Sequence, residues 1–142
     1  MVDEELKRAR SALKAFMSEM NRWETRFYRV KQNALLEHVD PEVVDKGERS
    51  NLEEIINGWA FPDKANEGRL MDLSCASPPS YDPESDVEEN AEMEGGAAIF
   101  TIRQTTGLQN QFRFTLKRKN GEWRIKKKEF LNFKNKWQRS VL

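Results

Sequence analysis

The sequence is poor in the residues that build metal and redox sites. One cysteine, Cys75, and one histidine, His38, stand among 142 residues, too few for a zinc site of Cys and His ligands, a CxxC redox pair or a disulfide framework. No apolar run approaches the ~20 residues needed to cross a bilayer; the longest near candidate, 97–102, is interrupted by Thr101. The first residues, Val2-Asp3-Glu4-Glu5-Leu6-Lys7-Arg8, mix charges of both signs where a secretory signal has a basic start and an apolar stretch. With an unpaired cysteine as well, the expected compartment is the cytoplasm, and no membrane partner is expected.

What is abundant is charge. Formal charge cancels at 24 basic against 24 acidic residues. The division is steep, however: residues 1–102 hold 12 Lys and Arg against 22 Asp and Glu, and residues 103–142 hold 12 against 2. The acidity peaks between positions 81 and 94, with Asp82, Glu84, Asp86, Glu88, Glu89, Glu92 and Glu94 and no basic residue. Such a run is either a solvated segment that balances the basic strands or a docking surface for a basic partner. The 14 aromatic residues supply core enough for one domain over 1–142, since a chain of this size buries roughly two-thirds of its unfolded surface.

From Leu6 the apolar positions run Leu6, Ala9, Leu13, Phe16, Met20, Trp23, Phe27 and Val30, in steps of three and four, which predicts a helix continuing to about His38. Lys7, Arg8, Arg10, Lys14, Glu19, Arg22, Glu24, Arg26 and Arg29 fall on the side expected to face water. Phe16, Trp23 and Phe27 are too bulky for most coiled-coil knob positions, so packing across a sheet is expected. Asp40-Pro41 reads as an N-cap and first-turn proline opening a short helix, 41–45. Ser50-Asn51-Leu52-Glu53 has the form of a capping box opening a third, 51–59. Residues 60–83 carry Pro62, Gly68, Pro78, Pro79 and Pro83 and read as connection, with a short strand at 68–74.

Strand signals follow at 86–93 and, behind Gly95-Gly96, at 97–105. The clearest is a hairpin, 111–119 and 122–130 about Asn120-Gly121, a type I′ turn pair. A two-residue loop sets 118 opposite 123, 116 opposite 125 and 114 opposite 127. Phe112, Phe114, Leu116, Trp123 and Ile125 then share an inner face, with Lys127 and Glu129 as its only polar members. Arg113, Thr115, Lys117, Arg124, Lys126 and Lys128 share the outer face. Trp23 and Trp123 are expected to be buried between helix and sheet, and 133–142 to add a short strand or dock. The fold class is α+β: a long first helix and short helices packed in a curved antiparallel sheet.

No catalytic arrangement emerges. His38 sits beside Asp40 near a helix end with no serine or cysteine close in sequence. Cys75 lies among small residues with no base to lower its pKa and reads as an inert, half-buried thiol. Gly95-Gly96 lacks the spacing and the Lys-Ser/Thr of a phosphate loop. The basic face of Arg113, Lys117, Arg124, Lys126 and Lys128 could contact several phosphates, but exposed aromatics on which single strands stack are missing from it. Nucleic acid is therefore the lesser reading, against pairing with the acidic half of the chain or with an acidic partner.

Three stretches carry a family resemblance: Phe16-Met17-Ser18-Glu19-Met20-Asn21-Arg22-Trp23-Glu24, Ser77-Pro78-Pro79-Ser80-Tyr81-Asp82-Pro83, and Asn120-Gly121-Glu122-Trp123-Arg124-Ile125-Lys126-Lys127-Lys128-Glu129-Phe130. In this combination the chain resembles the immunity proteins with a nuclear transport factor 2-like fold that are encoded beside bacterial polymorphic toxins. The resemblance implies a cone-shaped domain with the first helix cradled by the sheet. It also implies a non-catalytic, cofactor-free role: binding and neutralising a cognate toxin domain. The candidate toxin-binding residues are Asp82, Glu84, Asp86, Glu88 and Glu89, with the basic face as the alternative. Enzymes or ligand-binding proteins of the same fold, which place polar groups in the cavity, are the competing class.

Overall fold

The computed structural model describes residues 2–75, 79–106 and 109–142. Of the stretch 77–83, Ser77 and Pro78 thus lie outside the described residues. The described elements are three helices, α1 (Val2–Leu36), α2 (Pro41–Trp59) and α3 (Ala65–Met71), followed by five strands, β1 (Val87–Glu94), β2 (Ala97–Arg103), β3 (Gln111–Lys119), β4 (Glu122–Leu131) and β5 (Trp137–Ser140). The strands pair in chain order as one antiparallel sheet, curved against the helices in an α+β architecture.

The periodic stripe makes α1 an almost uninterrupted core helix. Ala9, Leu13, Phe16, Met20, Trp23 and Phe27 are all buried. They meet Ala98, Phe100, Ile102, Phe114, Leu116, Trp123 and Ile125 from the inner face of the sheet in one cluster. Asp3, Glu4 and Glu5 in the first turn complement the helix dipole. The buried face is wider than the stripe, for it takes in Met17 and Glu24 as well.

Two expectations about the helices fail. The segments 41–45 and 51–59 are parts of one 19-residue helix. Asp40 caps it as expected, accepting from the Glu42 N–H at 3.0 Å, but Ser50 and Glu53 lie in its interior. A capping box acts only where amides are otherwise unsatisfied, and here the preceding turns already supply acceptors. Residues 68–74 do not form a strand, because α3 occupies 65–71. Asp63 starts it by accepting from the Ala65 N–H at 3.0 Å, and its Arg69 is held at Nε by the Leu142 carbonyl at 3.0 Å.

Asn120 and Gly121 adopt φ of 53° and 81°, the two left-handed conformations that a type I′ turn requires. Gly121→Ala meets no neighbouring atom, so its whole cost is the backbone conformation. The expected loss is ~1–2 kcal/mol by denaturant titration; an unchanged midpoint would contradict this turn geometry.

The hairpin register matches the expectation near the turn and departs from it beyond. Arg118 faces Trp123 and Leu116 faces Ile125, but a bulge between Thr115 and Leu116 pairs Thr115 with Lys127 and Phe114 with Lys128. Lys126 is the extra residue. From there on β4 is shifted by one position, which reverses the faces: Lys128 turns into the core, while Lys127 and Glu129 turn outward with Arg113.

Candidate functional site

Of the five candidate carboxylates, four fall into two structural pairs and Glu84 stands apart. Asp82 and Asp86 build the turn ahead of β1. The Asp82 carboxylate accepts from the Glu84 and Ser85 amides at 3.3 Å each, and Asp86 accepts from the Asp82 amide at 3.1 Å. Half-burial holds the Asp86 carboxyl above its ordinary pKa; the hydrogen bond from the Asp82 amide opposes the shift and the Asp82 charge adds to it.

Glu88 and Glu89 sit on the edge strand and point to different elements. Glu88 accepts from Arg10 Nε of α1 at 2.8 Å. Glu89, the extra residue of a second bulge, accepts from Gln111 at 2.6 Å and from Arg103 at 3.2 Å. These two bonds, that of Gln111 foremost, hold its pKa low. Glu84 is exposed at the mouth of a cleft of about 390 Å³ lined by Lys14, Ser18 and Arg22 of α1. The strip therefore remains on one edge of the molecule, and its ionic partners are Arg10 and Arg103 rather than the β3–β4 hairpin.

The basic face is dispersed. Arg113 pairs with Glu129 at 3.1 Å and lies 4.5 Å over the Trp137 ring. The Arg124 guanidinium donates to the Asn57 and Gly58 carbonyls at 3.0 and 3.2 Å, where a cation suits the end of α2. Lys126 lies 5.1 Å over Phe61. Lys117 is exposed, on a shallow outer groove of about 660 Å³ that also contains Glu92, Glu94 and Glu129. Lys128 has left this face altogether. What remains is a groove of mixed sign, unlike a stripe that follows a phosphate backbone.

The bulge has made an interior polar cluster that alternation along β4 conceals. Lys128 is 7% exposed, its Nζ donating to the Tyr81 hydroxyl at 3.0 Å. It lies 4.3 and 4.6 Å from the ring centres of Phe112 and Tyr81. Burial, and next the charge of Arg69, push its pKa down to about 7, while Glu24 and Asp86 oppose the shift. Burial pushes the Tyr81 phenol up. Tyr81 is a hub: Asn21 of α1 donates to its carbonyl at 2.6 Å, and its ring meets Phe16 edge-on at 5.4 Å.

Glu24, expected in water, is buried and accepts from the Ser80 amide at 3.1 Å and from its hydroxyl at 3.2 Å. Lys128, Asn21 and Glu24 together tie residues 80–81, and so the acidic turn that follows, to α1 and the sheet. Cys75 is half-buried, and burial raises its thiol pKa. His38 is exposed at the end of α1.

Comparison with known proteins places this arrangement. Residues 8–141 match a family described as NTF2 fold immunity protein. The chain is also 33% identical over 135 residues, 94% of its own length and 95% of the relative's, to a protein named Immunity protein RhsIA from Dickeya dadantii (strain 3937). No solved structure matches.

Proposed function

The chain belongs to the NTF2-fold immunity proteins, and from that premise we propose that it neutralises the cognate toxin domain of a bacterial polymorphic toxin system by binding it. In this reading a single domain over 1–142 acts in the cytoplasm of the producing cell, without catalysis and without a cofactor. The observation that carries it is the relationship over nearly the whole chain to a protein named as an immunity protein. The interior is consistent with a binder: the space between α1 and the sheet is filled by Phe16, Phe100, Phe114 and Tyr81, and the inward lysine is bound to a tyrosine hydroxyl. No described helix is long and apolar enough to cross a membrane.

The acidic edge of Asp82, Glu84, Asp86, Glu88 and Glu89 is the proposed contact for a basic toxin surface. Carboxylates on a protruding edge raise the encounter rate with a positive cleft. Asp82 and Asp86 shape the turn and are left intact in the test, which changes Glu84, Glu88 and Glu89 to Lys. The ion pairs of Glu88 and Glu89 are partly exposed, so the melting temperature is expected to stay nearly unchanged. Association with the toxin domain, followed at several salt concentrations, is expected to slow by about tenfold or more at low salt and to lose most of its salt dependence. Unchanged kinetics beside a lowered melting temperature would assign these carboxylates to internal balance and move the contact to Arg113, Lys117, Arg124 and Lys126.

A further inference from the structure

The helical hairpin of α1 and α2 ends in an apolar corner on which neither charged surface draws. Among the described residues nine large apolar side chains are exposed, and four of them fall within positions 35–43: Leu35 at 63%, Leu36 at 80%, Val39 at 41% and Val43 at 66%. Single exposed apolar side chains are ordinary, but a contiguous group marks a contact surface. Residues 33–45 contain no Lys or Arg, while Glu37, Asp40, Glu42 and Asp45 are all there. Asp45 is taken by Lys31 at 2.8 Å, which leaves three exposed carboxylates around the apolar group.

The corner is also stiff. α1 ends in a Schellman motif, with Val39 N–H donating to the Ala34 carbonyl at 2.9 Å and His38 N–H to that of Leu35 at 3.4 Å. His38 takes the left-handed conformation, φ 58°, that the motif needs. Two residues on, Asp40 caps α2 and Pro41 opens it, so the helices are joined by four residues, each with a fixed role. Beneath them Lys31 clamps the pair, bound to Asp45 and lying 5.3 Å over Phe27. Burying apolar groups that are already held in place forfeits little conformational entropy, which is the property of an interface anchor.

A second copy of the chain does not suit the corner, because a two-fold contact would press three carboxylates against three. We propose that the corner of Leu35, Leu36, Val39 and Val43 is an anchor of the toxin interface, seated in an apolar pocket that the toxin domain borders with Lys or Arg. The inference rests on the immunity reading and adds to it a surface outside the acidic segment.

The test compares three full-length proteins for binding to the purified toxin domain encoded beside this chain: wild type, a triple variant with Leu35→Ser, Leu36→Ser and Val43→Ser, and a double variant with Glu37→Gln and Glu42→Gln. All positions are exposed, so melting temperatures within ~3 °C of wild type are expected. The triple variant is expected to bind ~100-fold more weakly through faster dissociation. The double variant is expected to associate several-fold more slowly at low salt. If wild type binds and the triple variant stays within about threefold of it, the anchor is overturned while the immunity reading stands. If wild type does not bind, the immunity reading falls and the anchor with it. Self-association of wild type in sedimentation, abolished in the triple variant, would overturn the proposal in favour of a second copy.

Discussion

Lys128→Met is expected to make the protein more stable at pH 7 and to flatten the dependence of its stability on pH between about 7 and 10. In the fold the Lys128 amine has a pKa of about 7, against 10.5 when unfolded. Between these values the unfolded chain binds the extra proton, so stability rises with pH at up to ~1.4 kcal/mol per unit and is lowest once pH falls below 7. Above pH 10 the raised phenol of Tyr81 acts in the opposite sense, because the unfolded chain then releases a proton that the fold retains. The joint contribution of Lys128 and Tyr81 to stability is thus greatest near pH 10.

Methionine fills a similar volume without the desolvation cost. It forfeits the bond to the Tyr81 hydroxyl, worth about 1 kcal/mol, so the gain at pH 7 should be of order 1–3 kcal/mol. Denaturant titrations from pH 6 to 10 decide it. A variant that loses more than ~1 kcal/mol throughout would mean that the charged amine, solvated or paired, supports the fold.

Trp23→Ala is expected to cost ~3–5 kcal/mol, enough to leave much of a marginally stable domain unfolded at 37 °C. The indole is 1% exposed. Its Nε1–H donates to the Glu48 carbonyl of α2 at 3.2 Å, the Phe27 ring lies at 5.1 Å and Arg69 of α3 lies 5.3 Å over its face. Trp23 therefore joins the three helices, and it and Trp123 are both buried in the one core cluster, as expected. Trp23→Phe keeps most of the volume and should lose only ~1–2 kcal/mol. A loss below about 1 kcal/mol for Trp23→Ala would contradict this packing.

The elements that were legible in the sequence are those set by local repetition. The stripe from Leu6 to Val30 defines α1, and Asn120-Gly121 defines the β3–β4 turn and the first pairs beside it. What stayed hidden is tertiary. A capping box at Ser50 is a local motif, and the continuing contacts of Leu52 and Ile56 with the core keep α2 in one piece through Gly47. Glu24 lies off the apolar stripe, and the distant Ser80 donates to it.

The bulge mattered most for the candidate sites. Strict alternation along β4 turns Lys127 and Glu129 inward and Phe130 to the solvent side, whereas one extra residue at Lys126 turns Lys128 and Phe130 inward. Phe130 then lies opposite Phe112. An aromatic residue left on the polar face was the one available signal of the shift. The acidic edge was legible as composition, but its division into turn-forming Asp82 and Asp86 and ion-paired Glu88 and Glu89 depends on α1 and β2 reaching it.

Growth of cells expressing the proposed cognate toxin domain, with and without this chain, tests the central claim most directly. Co-expression is expected to restore growth, and the two proteins to be recovered from those cells as a one-to-one complex. Arrest that persists while the folded chain is present in excess, with no complex formed, would contradict the claim that this protein neutralises its toxin by binding it.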